Sequence, residues 1–462
     1  MANLTRWKRQ LKSSLLVNSI FCEVLAPAVI EDACRQAGHV WRESFWSPTI
    51  TLFTFLLQVL SAEKTLRAAV TSLLTQLLAS GEMDLPSADP TAYCQARQRL
   101  PAKLFAGLLG RVTDRMQQLP VTQQTWRGHR VWVNDGACVS MPDEPELQKA
   151  FPQPEAQMPG CGFPVARLVV VFCWATGAIV DLMVSSLHHH EITLFRKLWH
   201  HFRPGDVVIN DRAYCSYTDI VQLLQRGVSV VCRLHRRRKA DFRTGTRLGK
   251  DDQRVTWERP RQWFPTFGVT QQEFQRLPET MTVRIIRISH VPRGFRSRPI
   301  DVVTTLLDPM DAPADEIRQL YRDRWTAELN IRSLKTQLGM DVLRGKSTDV
   351  VSKEIVMHLV AYNLIRLLMW HAAAEYDRPL HRLSFTGTLH RFRNIYTSLL
   401  RKITSSQTGR LLEWLLRWIA QDQVPDRPNR IEPRRKKRRP KEYSLLSKPR
   451  AWYKYHRDLT AR

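Results

Sequence analysis

The chain has little acid for its length: 43 Asp and Glu stand against 70 Lys and Arg in 462 residues, a formal net charge of +27 with a pI near 10.3. That imbalance favours a polyanionic partner, because each phosphate neutralised by Lys or Arg releases condensed counterions. Closely spaced cysteines are absent as well. The eight thiols, at 22, 34, 94, 138, 161, 173, 215 and 232, include no C-x-x-C pair, which argues against a structural zinc site and leaves reduced, packed thiols as the expectation. No long apolar run is present. The most apolar window, Leu168 to Val184, is interrupted by Gly177 and Asp181 and is about as short as a membrane helix can be. It reads as two strands joined by the turn Ala175-Thr176-Gly177. Met1 to Cys22 carries Arg6, Lys8, Arg9 and Lys12 beside a short apolar stretch, without a signal-peptide cleavage pattern. A soluble, cytoplasmic chain with no membrane partner is expected. The triplet His188-His189-His190 reads as a loop before a helix starting near Glu191, because consecutive side chains point different ways.

What is present is more specific. Tyr321 to Lys335 reads YRDRWTAELNIRSLK, and at about 100° per residue Arg324, Glu328 and Lys335 lie roughly 60°, 20° and 40° from Tyr321 on a helix. One face then presents a phenol, a guanidinium, a carboxylate and an ammonium. Such a face suits a phosphodiester beside a metal ion, with Glu328 on the cation and Arg324 and Lys335 on phosphate oxygens. A solvated helix laced by charge pairs would carry the same letters.

Two aspartates each close a short apolar run that reads as a buried strand. One run is Val131-Trp132-Val133-Asn134-Asp135, followed by Gly136; the other is Val207-Val208-Ile209-Asn210-Asp211, followed by Arg212. Carboxylates at strand ends are well placed for metal binding, although helix caps and turns use aspartate there too. With Glu328 they make three hard oxygen ligands, enough to hold two divalent cations.

At these residues the chain resembles the DDE transposases of bacterial insertion sequences, in particular the insertion-sequence-four family. Its signature is tyrosine, two residues, arginine, three residues, glutamate, six residues, lysine. Tyr321, Arg324, Glu328 and Lys335 keep all three intervals, after Asp135-Gly136 and the run Gly205 to Arg212, across roughly residues 125 to 340. The segment Tyr93 to Leu100 and the basic Arg439-Pro440-Lys441 also look familial. The resemblance implies an α/β fold: an RNase H-like core interrupted by a mostly β insertion, with a helical N-terminal domain and a helical C-terminal region. It also implies Asp135, Asp211 and Glu328 as catalytic metal ligands for two Mg²⁺ ions, replaceable by Mn²⁺, and Tyr321, Arg324 and Lys335 as contacts to DNA phosphates. Cut-and-paste transposition through a hairpin intermediate would follow. The partners would be double-stranded DNA at terminal inverted repeats and target DNA, bound by a homodimer on the bacterial nucleoid.

The periodicities give six regions. Residues 1–122 read as helical, over Thr49 to Ala62, Lys64 to Leu78 and Pro101 to Leu119, and could bind the ends of the element or serve in dimerisation. Residues 123–234 hold strands near Val131 to Asn134, Ala166 to Trp174, Ile179 to Ser185, Val207 to Ile209 and Val228 to Leu234, with helices near Glu191 to Phe202 and Tyr217 to Arg226. Residues 235–299 form a basic β-rich insertion, with 16 Lys or Arg against 6 acids. Its rings Trp257, Trp263 and Phe295 could stack on an unpaired base or form the insertion's own small core. Residues 300–345 complete the core with one long helix running from Pro313 to about Leu338. Residues 346–426 are helical, and 427–462, with 14 Lys or Arg against 3 acids, make a tail expected to stay disordered until it meets DNA. A non-catalytic, domesticated DNA-binding protein and a nuclease of the same fold that does not join strands are the alternatives. Survival of all three carboxylates disfavours the first, and a strand-transfer assay would separate the second.

Overall fold

A computed structural model describes residues 25–42, 44–79, 81–119, 125–289, 299–398, 405–425 and 446–456. Phe295, Arg439-Pro440-Lys441 and the stretch Met1 to Cys22 lie outside them. The chain divides into two compact units that do not follow chain order: Met1–Leu119 with Val139–Leu147 and Arg332–Pro425, and Pro120–Cys138 with Gln148–Ile331 and Asp426–Arg462.

The first unit is helical. Helix Thr348–Glu375 runs through its centre and packs against Pro48–Leu60, Ala102–Gln117, Phe385–Ser398 and Ser405–Gln421. It starts at Ser347, whose hydroxyl accepts from the Val350 amide, the usual way to satisfy an orphan donor of the first turn. This helix is long and apolar enough to cross a membrane, yet most of its apolar stretch is buried inside the protein, as in a core helix. Tyr93 and Arg97, from the segment that looked familial, are buried, and both donate to Gln58 Oε1, at 2.9 and 3.2 Å. Their visible role is to tie two helices together.

The second unit is built on a sheet in the order β4-β3-β2-β5-β6-β10-β9-β8-β7. The strands are β1 (Thr125–Trp126, paired with the start of β2), β2 (His129–Ser140), β3 (Val165–Cys173), β4 (Ile179–Ser186), β5 (Val207–Asn210), β6 (Ser229–Arg233), β7 (Thr246–Gly249), β8 (Asp252–Glu258), β9 (Thr280–Ile288) and β10 (Ile300–Thr304). β3 and β4 are antiparallel across a turn at Gly177, whose φ of 66° suits a residue without a side chain. β2, β5 and β6 are parallel neighbours, with helices Glu191–Arg196 and Tyr217–Gln225 in the intervening connections. This is the α/β, RNase H-like arrangement. The buried runs of β2, β3 and β5 carry Val and Ile without alternation, as strands covered on both faces do.

Four expectations change. Among the described residues the insertion shares the core of the sheet: through antiparallel pairing with β10 its strands extend the same sheet, and Trp257, Phe274, Met281 and Ile285 share one apolar cluster with Trp132 and Val208. Trp263 packs against that cluster and donates its indole N–H to Val269 O at 2.9 Å. Asp135 does not end its strand, since β2 continues to Ser140. The long helix is broken into Ala314–Asp323, a joint at Arg324, Trp325–Arg332 and a π-turn at Ser333–Gln337. Part of the tail is ordered: helix Arg450–Tyr455 is held by Arg450, which donates to Gly160 O and Gly162 O and lies over the Phe163 ring. An extended polar run hides such an anchor because its partners lie nearly 300 residues earlier.

Candidate active site

Backbone pairing sets the first two carboxylates. β2 and β5 match Val131 with Val207, Trp132 with Val208 and Val133 with Ile209; the same offset carried two residues past this last pair, and one past the end of β5, would bring Asp135 level with Asp211. The strands are also clamped at the start of this register. Asp206, 3% exposed, accepts from Arg130 Nε and Nη2 at 3.0 and 3.1 Å and from Trp132 Nε1 at 2.7 Å. Bidentate contacts to one carboxylate fix register as well as distance.

The helix pair supplies the third carboxylate. At its joint the Arg324 amide bonds to Tyr321 O and Ala327 to Arg324 O, three-residue spacings that tighten the turn. Arg324 Nη2 stands 2.9 Å from Glu328 Oε1. The Arg324 guanidinium lies over the Tyr321 ring, 5.9 Å from its centroid. Burial, followed by the opposing pull of Arg324 and the push of Asp211, sets the Tyr321 phenol up at about 12. It is therefore a neutral hydrogen-bond donor at neutral pH.

Asp135 is half-buried, and its carboxyl is raised to about 6, first by burial and then by the neighbouring Glu328 and Glu191 charges; the Gly136 amide and Arg324 act the other way. Asp211 acts on both Tyr321 and Arg324. Arg324 thus links the group: it feels Tyr321, Glu328 and Asp211, and acts with Glu328 on Asp135. Lys335 falls on the π-turn, half-buried, in the helical unit. Its place on a common stripe assumed an unbroken helix, and an i→i+5 turn departs from that geometry.

Glu191 escaped the sequence reading, which used it only as the start of a helix. Its carboxylate lies so close to Gly136 that a β-carbon there would stand 2.6 to 2.8 Å from it. No spacing rule couples a helix start to a glycine 55 residues earlier, and only the folded sheet brings them together. The histidine triplet diverges as expected: His188 meets Glu155 at 3.0 Å, His189 meets Ser185 Oγ at 2.9 Å, and His190 takes the N-cap position of the helix through its backbone carbonyl, its side chain making no cap hydrogen bond. His200 and His201 instead converge with Asp181, their ligating atoms all within 4.8 Å. Two imidazoles and one carboxylate suit a borderline ion such as Zn²⁺ rather than Mg²⁺.

Carboxylates are the donor type that hard divalent cations take, although among the described residues the group of three ligand side chains that closes to within 4.8 Å is Asp181, His200 and His201. Arg324 stands against Glu328 as its counter-charge, and burial holds Asp135 partly protonated near pH 6, a cost that a bound cation would relieve.

Residues 126–364 match the family described as Transposase DDE domain. Over 370 residues the chain is 24% identical to the transposase InsG for insertion sequence element IS4 of Escherichia coli (strain K12), covering 79% of this chain and 80% of that protein. A cryo-EM structure of the piggyBac transposase synaptic complex with hairpin DNA aligns with a TM-score of 0.44 at 10% identity, over 90% of this chain and 86% of that one. That likeness is too slight to carry an argument. The family match spans more than half of the sequence and contains both aspartates, the glutamate and the whole tyrosine-to-lysine signature, so the chain belongs to the DDE transposases of the insertion-sequence-four type.

Proposed function

We propose that this transposase cleaves and joins DNA by cut-and-paste phosphoryl transfer at Asp135, Asp211 and Glu328. The observation that supports the reading is the β2–β5 register, which if continued two residues past its last pair would bring Asp135 level with Asp211, together with the Arg324–Glu328 pair whose charges act on Asp135. Two divalent ions, Mg²⁺ or in its place Mn²⁺, would supply activation of water on one side of the phosphodiester and stabilisation of the departing oxygen on the other. The three carboxylates would hold them. Arg324 offers a planar donor pair to phosphate oxygens, the neutral Tyr321 hydroxyl donates one further hydrogen bond, and Lys335 contributes a point charge on the same DNA. Fixing the phosphate this way sets the attack in line.

The order of events under this reading is nicking to free a 3′ end, hairpin formation at the transposon end, hairpin resolution and strand transfer, with no covalent protein intermediate. Tyr321 is not a nucleophile. The substrates are the element's terminal inverted repeats and target DNA, engaged by two copies of the chain, and the +27 charge would hold the protein on the nucleoid. Asp135→Ala, Asp211→Ala and Glu328→Ala should each abolish strand cleavage with Mg²⁺ while binding of the DNA ends survives. Cleavage retained by any one purified variant removes that residue from the ligand set.

A further inference from the structure

We propose that Glu191 is a fourth acidic ligand of the cation site and that Gly136 is the residue that lets it reach there; the proposal rests on the reading just given. Two carboxylates are gathered on one glycine. Asp135 folds back so that its Oδ1 accepts from the Gly136 amide at 2.9 Å. The Glu191 carboxylate lies over the Gly136 α-carbon, its carbon and both oxygens standing 2.6, 2.7 and 2.8 Å from where a β-carbon would be. No β-carbon fits there without moving the carboxylate.

An acid in a helix's first turn ordinarily favours the helix dipole, but here the side chain turns away onto the strand. Its nearest basic group gives it little: Arg167 Nε is 4.0 Å from Glu191 Oε1, while Arg167 Nη1 is engaged by His189 O. The hollow holds a second, independent sign of a ligand. Asn134, two residues before Gly136 and therefore on the same face of β2, is 1% exposed, and neither its amide oxygen nor its amide nitrogen has a hydrogen-bond partner of normal geometry. The hydroxyl of Tyr214, 4% exposed, faces Asn134 and can serve at most one of those two amide atoms, so a buried polar atom is left over. Buried polar groups are almost always satisfied, and a hydrated divalent cation brings water donors and acceptors at once. Glu191 would bind the cation directly, while Asn134 and Tyr214 would receive its water shell.

The test is Mn²⁺ binding to the full-length protein without DNA, followed by electron paramagnetic resonance of free Mn²⁺, for wild type, Glu191→Gln, Gly136→Ala and the three variants Asp135→Asn, Asp211→Asn and Glu328→Gln. Glu191→Gln is nearly isosteric and should weaken Mn²⁺ at one site by about tenfold or more, the scale on which loss of a supporting group acts. Gly136→Ala should reproduce that loss with Glu191 itself intact. Hairpin-forming cleavage at low Mg²⁺ should fall with it and recover as Mg²⁺ is raised. Mn²⁺ binding within twofold of wild type in both Glu191→Gln and Gly136→Ala, with binding lost in Asp135→Asn, overturns the role of Glu191 and leaves the three-carboxylate reading standing. Unchanged binding in Asp135→Asn, Asp211→Asn and Glu328→Gln as well would overturn that reading too.

Discussion

Arg324 stands 2.9 Å from Glu328, one helical turn on, and shields a carboxylate that is itself more than one-third exposed. A cation arriving at Glu328 competes with this guanidinium. Arg324→Ala should therefore tighten Mn²⁺ binding in the absence of DNA by a few-fold, the scale of about 0.5–1 kcal/mol for a partly exposed pair. Strand cleavage should nevertheless fall by about 10² or more, because a donor aimed at developing phosphate charge is lost. Weaker Mn²⁺ binding by the variant would show that the arginine supports the carboxylates rather than competing for one.

The buried Asp135 carboxyl makes stability depend on pH. Its folded value of about 6 lies above the ordinary 3.8, so the folded state holds a proton that the unfolded chain has released, and stability falls as pH rises from about 4 through 6. Above that window the full cost is present; below it there is none. Asp135→Asn should stabilise the metal-free protein at pH 8 by about 1–2 kcal/mol, after discounting for partial exposure, and leave it unchanged at pH 4. Denaturant midpoints at the two pH values decide this, and equal shifts at both would rule out the buried charge as the cause.

Arg284 serves the fold. It is fully buried in β9 and donates to both oxygens of Asp252, at 2.8 and 2.6 Å, and to Ala312 O at 2.6 Å. Cutting out one partner leaves an uncompensated buried charge, so Arg284→Ala should lose about 3–5 kcal/mol in urea unfolding. The salt dependence of DNA binding by the fraction that stays folded should match wild type. A reduced salt slope without loss of stability would reassign Arg284 to DNA.

Arg236, Arg237 and Lys239 are exposed at the start of the insertion, whereas Arg238 lies over the Trp257 ring at 4.0 Å. If the exposed three meet phosphates, replacing all of them by alanine should lower the slope of log K against log salt by about 0.9 for each contact, roughly 2.7 altogether. Thermal stability should stay within experimental scatter. Titrations at several salt concentrations measure the slope directly, and an unaltered one would leave this run as solvated surface.

Much of the architecture was legible because it is written locally. Unbroken Val and Ile runs marked β2, β3 and β5, the interruption at Gly177 marked the turn between β3 and β4, and three- and four-residue apolar spacing marked the helices Pro48–Leu60, Leu66–Ala79 and Ala102–Gln117. Where the reading slipped, local pattern was not decisive. The joint at Arg324 and the π-turn at Ser333–Gln337 carry ordinary helix-forming letters, and their departure from 100° per residue has no compositional sign. The ordered end of the tail depends on carbonyls at Gly160 and Gly162 that no neighbouring residue announces.

By itself the sequence determined which residue types were available: two aspartates behind apolar runs, an arginine and a glutamate at helical spacing, and a large excess of positive charge. Those follow from side-chain chemistry and short-range periodicity, which a linear string carries in full. Only the tertiary structure decided that the strands leading to Asp135 and Asp211 pair in parallel, that Glu191 reaches the α-carbon of Gly136, and that Arg284 is an internal tie. Each of these depends on strand pairing or packing between segments tens of residues apart, where steric fit and burial select the partner and sequence distance does not.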